Sequence, residues 1–202
     1  FLEYTYPIMF CHLKRNSFLY ISLLFLFFIV LINNAFYGFG WTDEALYTAT
    51  ANSLYHGNRL FFDIFEPTQI YSVLVYPLFY IFVKLTGSTD YIYLFMRIAT
   101  IIIQFATSVF VFFMLSKKYK KTVSFIASFI VLVFSRAQLF GPSYYTFVLV
   151  NFTIANILIF YVFELKAKSV WLFVSGIFHG FAILCNPYLV LPYVAFSLCC
   201  VI

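Results

Sequence analysis

Charged side chains are scarce in this chain of 202 residues: Asp, Glu, Lys and Arg make up 9% of it, whereas 64% of the residues are hydrophobic. Soluble domains typically contain about 25% charged residues and about 45–50% apolar ones. So few polar side chains could not cover a surface that faces water. Soluble enzymes, disordered regions and nucleic-acid-binding modules are therefore excluded, and a mean hydropathy of +0.99 indicates an integral membrane protein.

Cysteine is also scarce, and its spacing argues against two kinds of site. The four cysteines lie in or beside apolar runs, with no CxxC pair and no matching histidine pattern, at positions 11, 185, 199 and 200. We expect reduced thiols in the membrane rather than a metal site or a disulfide framework. No internal repeat is visible, which gives no support to an inverted-repeat transporter.

Long apolar runs fill most of the sequence. A spanning helix needs about 20 mostly apolar residues to cross about 30 Å of hydrocarbon. Runs that meet or approach this length predict spans over residues 17–37, 92–115, 122–140, 144–163, 169–185 and 187–202. The predicted fold is an all-α, polytopic transmembrane helical bundle. Because the chain begins with Phe1 and its last apolar run continues to the final residue, we expect a fragment of a longer protein.

The charges between these runs predict the orientation of the bundle, since cytoplasmic loops carry an excess of Lys and Arg. The number of basic residues on each side of the membrane depends on whether a shorter apolar run, over 69–83, crosses it. If it does not cross, most basic residues lie inside (14, 15, 117, 118, 120, 121, 166 and 168) and most acidic residues lie outside. We therefore predict that 69–83 is an interfacial helix, bent at Pro77, with its tyrosines in the headgroup layer.

Residues 38–91 then form one long outer loop, and loops of this length often carry function. Thr42 is a plausible N-cap and Gly57 a plausible stop, which predicts a second interfacial helix over 43–56. Asp43 and Glu44 fall in its first turn, where the helix dipole favours carboxylates. The two acids either cap this helix or belong to a site. Their position at the lipid surface favours a site, because an unused carboxylate is costly there.

Five short segments follow one another in a recognisable order: Thr42-Asp43-Glu44-Ala45-Leu46-Tyr47, His56-Gly57-Asn58-Arg59-Leu60, Asp63-Ile64-Phe65-Glu66-Pro67, Tyr93-Leu94-Phe95-Met96-Arg97 and Gly141-Pro142-Ser143-Tyr144. Together with the predicted interfacial helix and the basic inner loops, they resemble the GT-C glycosyltransferases, which include aminoarabinose transferases and protein O-mannosyltransferases. The resemblance covers about residues 17–196 and corresponds to the amino-terminal portion of a longer enzyme. A fragment of this kind is expected to be inactive alone.

The resemblance implies an inverting transfer of a sugar from a polyprenyl phosphate to an acceptor hydroxyl on the extracytoplasmic face. Asp43 then matches the catalytic base. Glu44 matches a residue that orients the site or, with Asp43, holds a divalent cation such as Mg²⁺ or Mn²⁺. Glu66 matches an acid that binds the acceptor or a metal. The implied partners are the lipid-linked donor, membrane lipids and an acceptor glycan, lipid or protein. The abundance of Phe, Ile, Tyr and Lys indicates an AT-rich genome and so predicts a bacterial inner (plasma) membrane, and the short basic runs between apolar stretches predict no nucleic-acid partner.

The chain departs from the family pattern at two places. Relatives often have a lysine after the acid that matches Glu66, whereas this chain continues Pro67-Thr68-Gln69. Another cation must then neutralise the leaving phosphate, and the outer-side candidates are Arg97, Arg136 and Lys84, each of which could instead anchor to headgroups. Relatives also often have an acid where this chain has Tyr144 and Tyr145, which weakens a two-carboxylate metal site.

Two other classes of function stay open, a polytopic transporter or lipid flippase and a non-catalytic membrane subunit. A transporter predicts acids or broken helices at the membrane midplane, and this stretch has neither. The polar residues inside the predicted spans are few. We expect His179, Asn151 and Asn156 to bond to neighbouring helices rather than to form a site.

Overall fold

The computed structural model describes residues 6–38, 44–65, 69–135 and 141–194, and for residues 6–16 and Glu44 it describes the backbone alone. Its α-helices in these ranges are α1 (Tyr6–Ala35), α2 (Glu44–Tyr55), α3 (Ser72–Thr86), α4 (Ile92–Leu115), α5 (Lys121–Val133), α6 (Tyr144–Leu165) and α7 (Val170–Cys185). One 3₁₀ turn precedes α3 and another follows α7, after which 190–194 are helical. The predicted all-α class is confirmed for the described ranges, which contain no strand and one isolated bridge.

In the part of the chain that the structure describes, four helical segments are long and apolar enough to cross a membrane by length and composition: Ser17–Ala35, Gln69–Thr86, Ile92–Leu115 and Tyr144–Leu165. α5 and α7 are apolar but shorter, with 13 and 16 residues. These helices indicate an integral membrane protein. Two of the predicted spans, 92–115 and 169–185, agree with α4 and α7 to within one residue.

The predicted span over 122–140 is wrong in its extent. α5 ends at Val133, and Phe134 is extended, while 136–140 lie outside the described residues. The side-chain amide of Gln104 explains this end, because it donates 2.7 Å hydrogen bonds to the carbonyl oxygens of Val131 and Phe134. Carbonyls at a helix end need such a partner. Of the predicted span over 187–202, only 187–194 lie in the described part of the chain.

α1, α4 and α5 form a bundle in which α4 runs antiparallel to the other two. Near one end, the hydroxyl groups of Tyr20 and Thr122 lie 2.9 Å apart and Lys121 bonds to Ser17. Farther along, the rings of Phe28 and Phe105 are 4.5 Å apart. Ser108 of α4 donates to the backbone of α5 at Ser128, and both serines are buried. Serine permits close approach and bonds across apolar helices.

α6 and α7 are antiparallel partners, and α6 runs parallel to α4. Ser175 of α7 donates a 2.8 Å hydrogen bond to the carbonyl oxygen of Ala155, and both residues are buried. Lys118, just after α4, forms an ion pair with Glu164 near the end of α6. The carboxyl ends of α4 and α6 therefore lie at one end of the bundle, together with the start of α5. We call this the basic end because six lysines (117, 118, 120, 121, 166 and 168) follow the ends of α4 and α6.

α3 lies across the opposite end of the bundle. Tyr71, just before α3, is 6.3 Å from Tyr144 at the first residue of α6, measured between ring centroids. Phe82, near the end of α3, is 4.8 Å from Phe95 in the first turn of α4. Both ends of α3 thus touch the amino-terminal turns of α4 and α6. If α3 ran antiparallel alongside α4, Tyr71 would instead lie beside the middle of α4, far from its first turn. Its place at the membrane interface stays a prediction.

Candidate functional site

An aromatic cluster joins the outer loop to this end of the bundle, and we call it the outer cluster. The Tyr47 ring of α2 lies edge-on to Tyr71, with centroids 5.0 Å apart, and 6.1 Å from Tyr144. Buried side chains from α3, α4, α6 and α7 complete it: Val75, Phe79, Ile92, Met96, Phe147 and Cys185. Four α-helices and the 3₁₀ turn before α3 therefore fix the position of α2. Tyr71 corrects one expectation, because it is fully buried here rather than in the headgroup layer.

α2 ends where the sequence predicted. Gly57 has φ +87°, a backbone conformation that residues with a Cβ rarely adopt. The amide of Gly57 donates to Leu54 and that of Asn58 donates to Ser53, both at 3.0 Å, which is the Schellman pattern. The chain changes direction at Gly57. At its other end, α2 starts at Glu44, one residue after the predicted first residue.

A tight turn follows α2. The carboxylate of Asp63 accepts a 2.8 Å hydrogen bond from the amide of Arg59 and lies 3.5 Å from its guanidinium. The same guanidinium stands 5.0 Å from the centre of the Phe62 ring. Both charged residues are exposed, so this pair shapes the turn more than it stabilises the fold.

Gln69 stands at the first departure from the family pattern. Its side chain is buried, and its Oε1 accepts a 2.7 Å hydrogen bond from the amide of Phe61, which has φ +64°. Tyr144, at the second departure, packs in the outer cluster. Both departures therefore hold side chains that pack or bond within the protein.

Arg97 is the one candidate cation on α4, and it is buried. It donates a 3.0 Å hydrogen bond to the carbonyl oxygen of Ala35 and bonds of 3.3 and 3.4 Å to that of Gly38. These carbonyls belong to the end of α1, where the backbone has no partner within the helix. A guanidinium presents several donors in a plane and so can serve both oxygens. Arg97 thereby ties the start of the outer loop to α4.

Lys84 lies in the last turn of α3 and is exposed. Its ammonium is 5.5 Å from the centre of the Tyr80 ring, which is also exposed. An ammonium over an aromatic ring at a membrane surface is typical of interfacial anchoring. No described contact brings Lys84 to the outer cluster.

The remaining candidates cannot be placed together. Asp43, Glu66 and Arg136 lie outside the described residues, and of Glu44 only the backbone is described, at the start of α2. Within the described ranges, no group of three His, Cys, Asp or Glu side chains could hold a metal ion. The proposed ligands of a divalent cation, Asp43 and Glu44, therefore stay predictions.

A cleft of about 220 Å³ opens beside α2, and the sequence did not point to it. Its walls come from one face of α2, from α3, from the start of α4 and from the turn between α3 and α4: Thr48, Ala49, Asn52, Phe79, Thr89, Ile92 and Tyr93. The polar wall comes from Thr48 and Asn52, which are four residues apart and so share a helix face. This four-residue spacing was the signal in the sequence that could have revealed the polar wall. Hydroxyl and amide groups over an aromatic floor suit a polyhydroxylated ligand.

The polar side chains of α6 and α7 do not extend this site. Asn151 and Asn156 donate to Phe147 and Phe152 of their own helix, so the expected bonds to neighbouring helices are wrong for both. A short amide reaches the carbonyl four residues back more readily than another helix. His179 contacts the rings of Phe152 and Tyr193.

No protein-family model matches this chain, and no curated protein or solved structure is significantly similar to it.

Proposed function

We propose that this chain is the amino-terminal part of an inverting membrane glycosyltransferase that moves a sugar from a polyprenyl phosphate to an acceptor hydroxyl. The proposal rests on the resemblance of the outer loop to that of GT-C enzymes. The structural observation that supports it is the place of α2. Tyr47, one turn after Glu44, contacts Tyr144 at the start of α6, so α2 begins against the end of the spanning helices.

In this proposal, the predicted base acts at this end of α2. Asp43 immediately precedes α2 in the sequence, and the first turn of α2 packs on the bundle through Tyr47. In the proposed step, Asp43 accepts the proton of the acceptor hydroxyl while that oxygen attacks the anomeric carbon. The bond between that carbon and the phosphate oxygen breaks, and polyprenyl phosphate leaves.

Arg97 takes a positioning role in this proposal. Its bonds to Ala35 and Gly38 hold the backbone five residues before Asp43. Misplacing a catalytic group by about 1 Å can cost about 100-fold in rate. The predicted phosphate contact of Arg97, like those of Arg136 and Lys84, stays a prediction, and so do the roles of Glu44 and Glu66.

The cleft beside α2 is the proposed place for the sugar. Its accessible polar groups, the amide of Asn52 and the hydroxyl of Thr89, match the hydroxyls of a pyranose or furanose. The exposed ring of Tyr93 supplies the apolar surface on which the face of a sugar ring packs. Asn52→Leu would remove an amide and leave the outer cluster intact, since Asn52 does not belong to it.

The test is the Asp43→Asn substitution in the natural protein, which keeps the side-chain volume and removes the base. Cells that carry it should accumulate a polyprenyl-phosphate-linked sugar, measured by mass spectrometry of lipid extracts. Asp90→Asn is the matched control, because Asp90 is an exposed acid of the same outer loop. Both variants should reach the membrane in normal amounts. If Asp43→Asn leaves the lipid extract unchanged, Asp43 is not the base and the proposal fails.

A further inference from the structure

A long apolar groove runs along α4 and α6, away from the outer cluster. Two adjoining cavities form it, of about 380 and 350 Å³, and both are lined by Phe110 and Ile154. The first reaches Ile103 in the middle of α4, and the second reaches Lys117 just after its end. The groove therefore extends about 21 Å along the helix axis at 1.5 Å per residue. That exceeds the depth of one leaflet, which is about 15 Å of hydrocarbon.

The groove opens at the basic end of the bundle. Lys117 lies at its mouth, exposed, with its ammonium 5.1 Å from the centre of the Tyr161 ring. Trp171 lines the same stretch, with its ring 6.0 Å from Tyr161. Tyrosine and tryptophan beside a lysine are typical of the boundary between hydrocarbon and headgroups. The apolar groove thus ends at the ammonium of Lys117, at headgroup depth.

The charge around this mouth is unbalanced. Among the described residues, the six lysines of the basic end face one acidic residue, Glu164, which pairs with Lys118. Lys117 has no carboxylate among its described contacts. An excess of positive charge at the mouth of an apolar groove favours an anionic amphiphile, since basic pockets between spanning helices bind anionic headgroups.

We propose that this groove binds an anionic phospholipid of the leaflet at the basic end. One acyl chain would lie between α4 and α6 along Phe110 and Ile154, and the phosphate would meet Lys117. The inference is independent of the proposed glycosyltransferase activity, because it concerns the opposite end of the bundle. A zwitterionic lipid would fill the same groove but would gain less from the lysines.

Fluorescence quenching tests this proposal. The chain contains two tryptophans, so Trp41→Phe leaves Trp171 as the single tryptophan, whose fluorescence is excited selectively over that of the tyrosines. The purified protein is reconstituted into phosphatidylcholine vesicles that contain increasing fractions of phosphatidylglycerol or phosphatidylcholine with brominated acyl chains. We expect half-maximal quenching at about a fivefold lower fraction of the anionic lipid, which corresponds to about 1 kcal/mol for one lysine near the surface.

Two variants separate binding in the groove from a general attraction to the basic end. Lys117→Gln should remove most of the preference, whereas Lys120→Gln should keep it, because Lys120 is exposed and does not line the groove. Ala106→Phe, which fills the groove in mid-membrane, should weaken the preference although it changes no charge. Equal quenching by both lipids would overturn the proposal. So would a preference that Ala106→Phe leaves unchanged, or an absence of quenching, which would mean that another helix or a second copy covers the groove.

Discussion

The guanidinium of Arg97 donates a 3.0 Å hydrogen bond to the carbonyl oxygen of Ala35, the last residue of α1, and it also reaches Gly38. A spanning helix and the first residues of the outer loop are thus fastened to the start of α4 by one buried side chain. Because the bonds go to the backbone, they fix the position of the chain whatever side chains follow. The strongest anchor of the proposed site is therefore a residue that need not touch the substrate.

Replacing Arg97 tests this anchor. Arg97→Lys keeps the charge, but a lysine ammonium is a point donor that replaces the planar fork of arginine. We expect Arg97→Lys to lose nearly as much stability as Arg97→Ala, about 1.5–3 kcal/mol for hydrogen bonds from a charged group. Thermal unfolding of the detergent-solubilised protein, followed by circular dichroism, measures the loss. Arg59→Ala is the control, since Arg59 is exposed and should change little. An Arg97→Lys protein as stable as the original would show that the charge alone matters.

Gly57 gives a second prediction, about the end of α2. At φ +87° an alanine pays for the left-handed conformation, so Gly57→Ala should destabilise the protein by about 1–2 kcal/mol. Gly176→Ala is the matched control. Gly176 lies in α7, and a Cβ at either glycine would meet nothing within 4 Å. Since alanine is a better helix former than glycine, Gly176→Ala should leave the stability of the protein unchanged or raise it. Equal effects in the same unfolding assay would mean that backbone conformation at Gly57 is unimportant.

Gln104 gives a third prediction, about the short helix α5. Its amide donates to two carbonyl oxygens at the end of α5, and Gln104→Glu removes this donor at nearly constant volume. We expect a loss of about 1–3 kcal/mol, because two partly buried carbonyls lose their partner and a carboxyl group replaces the buried amide. Asn156→Asp is the control, since that amide is exposed and bonds to its own helix. A stable Gln104→Glu protein would mean that the end of α5 needs no partner.

The sequence predicted the long elements of this fold better than their contacts. α4 and α7 match the predicted spans because an apolar run bounded by polar residues defines both ends of a helix in lipid. The stop at Gly57 was also predictable, since it depends on local backbone conformation. The predicted span was longer than α5, because Phe134 is as apolar as the helix before it. Its end depends on Gln104, thirty residues earlier, and hydropathy carries no such information.

The sequence predicted the region of the chain that holds the candidate site, but not the contacts within that region. Thr42 and Gly57 predicted a helix over 43–56, and α2 covers Glu44–Tyr55, to which the structure adds the helices that hold it. The burial of Tyr71 and the bonds of Arg97 were missed, since both depend on contacts between segments far apart in sequence. In each case the residue type suited a membrane surface, and only packing distinguishes a surface tyrosine or arginine from a buried one.

The last prediction concerns the sidedness of the loops, which depends on whether α3 crosses the membrane. Gln69–Thr86 is long enough to cross, yet both of its ends contact the first turns of α4 and α6. If α3 lies at the interface, residues 58 and 119 face opposite sides. If it crosses, both face the same side. Asn58→Cys and Tyr119→Cys, each in a background without the four native cysteines, distinguish these cases, because both positions are exposed. In intact cells, a membrane-impermeant maleimide should label Asn58→Cys, whereas Tyr119→Cys should react only after permeabilisation. Labelling of both variants in intact cells would place α3 across the bilayer and move the lysines at 117–121 to the outer side.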